Sequence, residues 1–189
     1  EQKKRGEKPE QHLLLCEHQP VYTLGKRADM NNLLFSKDLL EADIVRIERG
    51  GDVTFHGPGQ ITGYPLLDLE QMGIGLKEYI HRLEQLFINL LEEYDLSGSR
   101  LEGASGVWLD AGQAGKERKI CAIGVKASRY VTMHGFAFNV NTDLQWFQKI
   151  NPCGFTDKGV TSLKRELGKP CPMKEVADRV LWHFNSVFD

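Results

Sequence analysis

Residues 49–60, RGGDVTFHGPGQ, are the strongest local signal in the sequence, and two glycine clusters there bracket a four-residue strand at Val53–His56. The simpler interpretation is a β-hairpin with glycine turns. The functional interpretation is a ligand site, because glycine lets a backbone approach a ligand closely. Arg49 would then supply a fixed cation and His56 a titratable donor. Backbone N–H groups could hold a carbonyl, a carboxylate or a phosphate.

Strands and two clear helices lie on either side of this segment. Apolar and β-branched runs predict further strands at Leu13–Cys16, Val21–Leu24, Ile44–Glu48, Ile61–Leu69, Val107–Leu109, Ile120–Val125 and Phe136–Val140. An apolar stripe predicts a helix from Leu76 to Tyr94, and a second helix is expected over Pro172–Phe188. Asp143–Ile150 resembles a short amphipathic turn or helix, and Pro65 suggests an edge strand or a bulge. The pattern predicts an α+β domain in which helices pack on a mixed or antiparallel sheet.

The composition is that of one globular domain. The chain has 189 residues, of which 41% are hydrophobic and 26% are charged. Its net charge of −2 argues against general nucleic-acid binding but leaves room for a local basic patch. The 19 glycines exceed the usual share, so their positions matter.

No segment has the length or composition of a membrane span or a secretory signal. We therefore expect a protein of the cytoplasm or of an organelle matrix, without disulfides. The chain begins with Glu1 and not with methionine, so an opening segment could be missing.

Several common catalytic motifs are absent from the sequence. It contains no P-loop, no HExxH zinc motif, no GxSxG elbow and no C-x-x-C pair, so we expect no metal site. The run Met72–Gly75 begins like a dinucleotide fingerprint, but Glu78 stands where the third glycine would be. A loop that starts the long helix is the better interpretation.

One of the four cysteines has the surroundings of a reactive group. Cys121 and Cys16 lie in apolar strands, where a cysteine is usually a small buried hydrophobe, and Cys171 could be exposed but idle. Cys153 is flanked by proline and glycine, which indicate a loop. Burial as a small hydrophobe remains the alternative for this residue too.

A reactive thiol needs a neighbour that stabilises the thiolate or takes its proton. The candidates are Lys119, Lys126, His56 and His134. Lys119 opens the strand Ile120–Val125, so its side chain could point into a cleft. Judged by itself, the position favours a solvated lysine beside Arg118.

The chain resembles the lipoyl(octanoyl) transferases, the octanoyl-ACP:protein N-octanoyltransferases. The matching stretches occur in the expected order and are spread over nearly the whole chain: Glu17–Asp29, Arg49–Leu69, Ser105–Leu109, Arg118–Val125, Met133–Asn141 and Pro152–Leu163. Cys121 departs from the family pattern, since a smaller residue such as alanine is expected there. An opening strand and helix are also expected before the first residue.

The resemblance implies one catalytic domain over residues 1–189, with the mixed sheet and flanking helices of biotin protein ligases and lipoate-protein ligases. It implies that Cys153 is the acyl-carrying nucleophile and Lys119 its partner. It implies three substrate-binding segments, made of Arg49, Gly50, Gly51, Asp52, Val53, Thr54, Phe55 and His56, of Ala122, Ile123 and Gly124, and of Gly135, Phe136 and Ala137.

The implied reaction moves an octanoyl or lipoyl group from acyl carrier protein to a lysine of a lipoyl domain. The acceptors would be the E2 subunits of 2-oxoacid dehydrogenases and the glycine cleavage H protein. The phosphopantetheine of the carrier delivers the acyl group, so no other cofactor is expected. We expect a cytoplasmic monomer that contacts neither nucleic acid nor a membrane.

The acyl slot and the carrier-binding rim are less well defined by sequence. Val53, Phe55, Ile61, Ile123 and Phe136 could line an apolar slot. A basic rim for the acidic carrier could be formed by Lys26-Arg27 or by Lys116–Lys119, and ordinary solvated surface is an equal alternative for both.

Two other functions remain open on sequence alone. One is an ATP-dependent lipoate- or biotin-type ligase of the same fold, which does not need a cysteine at position 153. The other is a non-catalytic acyl-binding protein that keeps the pocket.

Overall fold

The structure, a computed structural model, describes residues 2–6, 10–34, 42–151 and 158–189. Its strands are β1 (His12–Cys16), β2 (Val21–Leu24), β3 (Asp43–Arg46), β4 (Val53–His56), β5 (Gln60–Leu66), β6 (Ser99–Leu101), β7 (Ala104–Leu109), β8 (Arg118–Ser128), β9 (Val131–Asn139) and β10 (Gly159–Val160). Its α-helices are α1 (Leu76–Glu92), α2 (Leu163–Leu167) and α3 (Met173–Phe188). Short 3₁₀ helices cover Gln2–Arg5, Met30–Asn32 and Leu144–Lys149.

A large mixed sheet forms the centre of the molecule. Its described strands run in the order β1-β5-β9-β8-β7-β6, all antiparallel, and β10 adds to β8 in parallel. Helices α1 and α3 pack together and bury the apolar residues of one face of this sheet. The predicted α+β class is therefore confirmed.

Helix α1 shows why the apolar stripe predicts burial. Tyr79, Leu83 and Phe87 recur at steps of four and are fully buried. The Phe87 ring lies 4.7 Å from the ring of Phe136 and 4.9 Å from that of Phe138, both on β9. This packing fixes the central strands against the helix.

A small sheet, in the order β3-β2-β4, stands apart from the large one. Strand alternation separates its two faces. Tyr22 on β2 and Phe55 on β4 pair across the strands and enter a second core with Trp146 and Phe147. The opposite face, which carries Thr23 on β2, borders a cavity with the large sheet.

The hairpin interpretation of residues 49–60 is wrong, and so is the edge position that was one of two suggestions for Pro65. Strand β4 belongs to the small sheet and β5 to the large one, so residues 49–60 cross between sheets and do not form a hairpin. Strand β5 lies between β1 and β9, so Pro65 is not on an edge strand. The ladder of β5 with β9 ends at Gly63, before Pro65, so the missing N–H of the proline interrupts no bond to β9.

The predicted helices, the strands predicted at Val107–Leu109 and Ile120–Val125 and the short helix within Asp143–Ile150 are confirmed, with shifts at their ends. Strands β6 and β10 and helix α2 were not predicted. Each has five residues or fewer, which is too short for a periodic pattern to be recognised. In the described ranges, no helix combines the length and apolar character that crossing a membrane would require.

Candidate active site

A cavity of about 360 Å³ lies between the two sheets, within the size range of small-molecule sites. Most of the residues predicted from sequence line it: Arg49, Gly50, Gly51, Thr54, His56, Lys119, Ala122, Ile123, Gly124, Gly135, Phe136 and Ala137. The structure thus brings together segments that are far apart in the chain. Their individual roles stay predictions.

Three residues of the predicted binding segment point away from the cavity. Strand alternation sends Val53 and Phe55 into the second core, where both are fully buried. The carboxylate of Asp52 accepts hydrogen bonds from the backbone N–H of Val53 at 2.7 Å and from the Asn32 side chain at 2.5 Å. Asp52, Val53 and Phe55 therefore shape the loop and strand without lining the pocket.

The floor of the cavity consists largely of backbone and very small side chains. Ala122 and Ala137 pair directly across β8 and β9, and Gly124 pairs with Gly135. A Cβ added at Gly124 would lie 3.1 Å from the carbonyl oxygen of Gly50, so the loop and the sheet approach closely. This close approach explains the position of several glycines in the sequence.

The apolar slot differs from the one expected. Ile61 and Phe136 lie in the large core, and Ile123 packs against that core. Alternation on β8 and β9 then leaves mainly the backbone of Ile123 and Phe136 for the cavity wall. Val45 and Ile47 supply apolar side chains that were not predicted.

Arg49 is a buried cation that anchors the glycine-rich loop. Its guanidinium donates to the carbonyl oxygens of Thr23 and Asp52, both at 2.7 Å, and to that of Gly50 at 2.9 Å. It also donates to the Thr23 hydroxyl at 3.1 Å. Because the arginine joins the loop to β2, it positions the backbone that forms the cavity wall.

His56 is held as a neutral imidazole. The Gln60 amide donates to Asn139 Oδ1 at 2.9 Å, which leaves Gln60 Oε1 to accept a hydrogen bond from His56 Nδ1 at 2.9 Å. His56 Nε2 is then an acceptor, and the Thr23 hydroxyl lies 3.3 Å from it. Burial, assisted by the charge of Arg49, lowers the pKa of His56 to about 4.

Lys119 is buried, so the solvated-lysine interpretation is wrong. The side chain lines the cavity, and Nζ lies 4.6 Å from the centre of the Trp108 ring. Trp108 pairs with Lys119 across the strands, next to an irregularity in the β7–β8 register. The lysine side chain therefore packs against an aromatic face.

Cys153 lies in residues 152–157, outside the described residues. The chain that follows them is bonded to the strand that carries Lys119. Val160 pairs with Lys119, and the N–H of Thr161 donates to the Lys119 carbonyl oxygen at 2.9 Å. On the other side, the N–H of Asn151 donates to Asn32 at 2.9 Å. Contact between Cys153 and Lys119 stays a prediction.

The other three cysteines are less suited to nucleophilic chemistry. Cys121 is fully buried, and burial raises the pKa of its thiol well above the usual value. Two expectations about cysteine exposure are wrong, because Cys16 is exposed and Cys171 is buried. Cys16 Sγ lies 3.6 Å from Nε2 of His18, at the rim of the cavity.

Sequence reasoning missed part of the cavity wall. His18 and Tyr64 both line it and share a hydrogen bond of 2.6 Å between Nε2 and the phenolic oxygen. Both lie in stretches that carried the family resemblance, which was the available signal. His134, considered only as a thiol partner, also lines the wall and has a φ of 61° inside β9. Burial and the charge of Arg49 lower the pKa of His134.

Among the described residues, no three histidine, cysteine or acidic side chains are grouped so as to hold a metal ion. The site consists of a buried lysine, a neutral histidine, a buried arginine and an apolar gap between sheets.

Residues 2–185 match the family described as the lipoyl protein ligase A/B catalytic domain. The chain belongs to that family.

Curated relatives within this family are closely similar in sequence. An octanoyltransferase of Parabacteroides distasonis is 60% identical over 171 residues, covering 89% of this chain and 77% of that protein. An octanoyltransferase of Porphyromonas gingivalis is 61% identical over 170 residues, covering 88% of this chain but only 35% of that relative.

Solved structures agree at the level of fold. A bi-partite lipoate protein ligase of Thermoplasma acidophilum superposes with a TM-score of 0.70 at 15% identity, covering 95% of this chain and 71% of that one. A biotin protein ligase of Aquifex aeolicus gives a TM-score of 0.57 at 20% identity, covering 89% of this chain and 69% of that one. The expected relation to both ligase folds is confirmed.

Proposed function

We propose that this protein is an octanoyltransferase that moves octanoyl from acyl carrier protein to a lysine of a lipoyl domain. The observation that carries the proposal is the position of Lys119. Its side chain is buried in the wall of the cavity, and its strand pairs with Val160, seven residues after Cys153. The identity of about 60% to octanoyltransferases favours this reaction over the ligase chemistry of other members of the fold.

The proposed reaction has two half-reactions. Lys119 accepts the proton of the Cys153 thiol, and the thiolate attacks the thioester carbonyl. Lys119 returns this proton to the departing phosphopantetheine thiolate, which leaves as the thiol, and an octanoyl-Cys153 thioester remains. The amine of the acceptor lysine then attacks this thioester, and Lys119 accepts the proton released from nitrogen and passes it to the departing Cys153 thiolate. The thioester is already activated, so neither ATP nor a bound cofactor is required.

The cavity suits an unbranched acyl chain. Its floor of Ala122, Ala137 and paired glycines leaves space above β8 and β9. Val45, on β3 of the small sheet, and Ile47, in the loop after β3, border that space. Burial of a hydrocarbon tail against these apolar surfaces is favourable.

The two basic rims expected from sequence differ in the charge that they present. Lys26 and Arg27 have exposed side chains. Their backbone N–H groups donate to the carbonyl oxygens of Arg49 and Gly51, in the loop that forms the cavity wall. Within Lys116–Lys119, Lys119 is buried and Arg118 is paired with Asp110 and Glu166, which leaves Lys116 exposed. Of these two rims, Lys26-Arg27 is the one that stays a candidate for carrier contact.

Transfer to a purified lipoyl domain tests the proposal directly. Octanoyl-acyl carrier protein and the wild-type enzyme should modify the acceptor lysine without ATP, as measured by the mass of the intact domain. Cys153→Ala should lose at least a thousandfold in rate, whereas Cys16→Ala, which removes an exposed thiol, should retain activity. Full activity of Cys153→Ala would refute the proposal.

The alternatives have distinct outcomes in the same assay. An ATP-dependent ligase would use free octanoate or lipoate with ATP and would tolerate the loss of Cys153. A non-catalytic acyl-binding protein would bind octanoyl groups without any transfer.

A further inference from the structure

A second, polar groove runs beside α2. It encloses about 560 Å³ and is bordered by three cations, Lys164, Arg165 and Lys169. All three side chains are exposed. In the part of the chain that the structure describes, none of them forms an ion pair.

The carboxylates near this groove are already engaged. Asp143 lies in the wall, where its side chain caps a 3₁₀ helix by accepting the N–H of Gln145 at 3.0 Å. The Glu166 carboxylate accepts two hydrogen bonds from the Arg118 guanidinium, at 2.7 and 2.8 Å. Because its lining has three cations and one carboxylate, the groove presents a net positive charge on a protein whose total charge is −2.

The groove is built on a rigid platform. The Ser162 hydroxyl accepts the N–H of Arg165 at 3.2 Å, and the N–H of Lys164 donates to Val140 at 2.8 Å. The Asn141 side chain bonds both the N–H and the carbonyl of Cys171, at 2.9 and 2.7 Å. The cations thus project from a fixed backbone and not from a free loop.

The position of the groove relates it to the candidate active site. Its walls are residues 141–144, which lead towards Asn151, and residues 162–170, which follow β10. Thr161, next to the groove residue Ser162, donates its N–H to the carbonyl of Lys119. One wall of the groove therefore precedes the segment with Cys153 in the chain, and the other follows it.

We propose that the groove docks an acidic face of the protein that carries the octanoyl thioester. The inference rests on the proposed function and adds the surface at which the donor is recognised. Charge complementarity is the argument, because three cations on a rigid platform favour an acidic partner and speed its encounter. A donor seated here would place its acyl arm beside the elements that carry Lys119.

Two donors separate docking from chemistry. One is octanoyl-acyl carrier protein, and the other is the octanoyl thioester of N-acetylcysteamine, which has neither a protein surface nor a phosphate. Rates of enzyme acylation are measured for the wild type and for the double variant Lys164→Glu/Lys169→Glu. The matched control is Lys77→Glu/Arg129→Glu, which reverses two exposed cations outside the groove.

Docking at the groove predicts a selective loss. The double variant should lose at least tenfold in kcat/KM with the carrier-bound donor at low salt, and the loss should shrink at about 0.5 M salt. Its rate with the small thioester, and its transfer from acyl-enzyme to the lipoyl domain, should stay within about twofold of wild type. The control should behave as wild type with both donors.

Other results would overturn the inference. An unchanged rate with the carrier, or an equal loss with the small thioester, would show that the groove does not recognise the donor. A loss seen only in transfer to the lipoyl domain would assign the groove to the acceptor. A loss seen only in Lys26→Glu/Arg27→Glu would assign donor docking to that rim. If neither donor acylates the wild type, the proposed function itself fails.

Discussion

At the scale of single residues, Lys119 depends on Trp108. The indole of Trp108 is fully buried. Its Nε1 donates a hydrogen bond to the carbonyl oxygen of Ala104 at 3.1 Å, and this bond within β7 fixes the orientation of the ring. The side chain of Glu84 on α1 braces the same strand by accepting the N–H of Gly106 at 3.1 Å. A rigid aromatic face therefore lies beside Lys119 Nζ and stabilises the ammonium that forms when Lys119 accepts a proton.

Loss of this face should impair acylation. Trp108→Leu should slow octanoyl-Cys153 formation about tenfold, since a buried cation–π contact contributes roughly 1–2 kcal/mol. Trp108→Phe keeps an aromatic face and should retain most of the rate. Single-turnover kinetics would measure both, with Trp182→Phe, at an exposed tryptophan, as the control. Equal rates for Trp108→Leu and wild type would contradict a role for the ring.

His56 should make the stability of the fold sensitive to acid. Its pKa is lowered to about 4 in the folded protein from the ordinary 6.5, so the unfolded chain binds the proton more tightly. The free energy of unfolding should therefore fall as the pH drops from about 6.5 to about 4, by about 3 kcal/mol.

Urea unfolding at pH 7 and at pH 4.5 would measure this dependence. His56→Gln should flatten it, and His81→Gln, at an exposed position on α1, should leave it as in wild type. A wild-type slope that survives in His56→Gln would assign the acid sensitivity to other groups.

At the scale of elements, the contact between β5 and β9 depends on missing side chains. A Cβ at Gly135 would meet the carbonyl of Gly63 and lie 2.5 Å from Cδ of Pro65. The ring of Phe136 likewise occupies the space where a Cβ on Gly63 would stand. These two glycines let adjacent strands carry both a cavity wall and a core aromatic.

Gly135→Ala should therefore destabilise the large sheet. We expect a loss of about 2–3 kcal/mol in the free energy of unfolding, because backbone and not a flexible side chain must move. Gly75→Ala is the matched control, since nothing lies within 4 Å of its added Cβ and its φ is −89°. Denaturant unfolding of both variants would test this, and equal stabilities would contradict the close approach.

At the scale of the whole molecule, local pattern predicted the elements but not their partners. The periodic stripe predicts α1, because Leu83 and Phe87 must share a buried face. Nothing local indicates that β4 and β5 join different sheets, since that depends on contacts with β2 and β9. The hairpin interpretation of residues 49–60, one of the two that the sequence left open, is wrong for this reason.

The candidate site divides in the same way. Residue type and family resemblance indicated Lys119 and the glycines, whereas burial of Lys119 depends on Trp108, which a neighbouring strand supplies. His18 and Tyr64 come from distant segments and meet only in the folded chain. The groove beside α2 is formed by residues 141–144 and by residues between 162 and 170. The net charge of −2 does not reveal this local positive charge.

The most direct test of the account is the intact mass of the protein after incubation with an octanoyl thioester alone. The account predicts one octanoyl adduct on Cys153 in the wild type, formed without ATP and discharged when a lipoyl domain is added. It predicts no adduct in Cys153→Ala and slow formation in Lys119→Ala. An adduct that persists in Cys153→Ala, or transfer by the wild type with no adduct on Cys153, would contradict it.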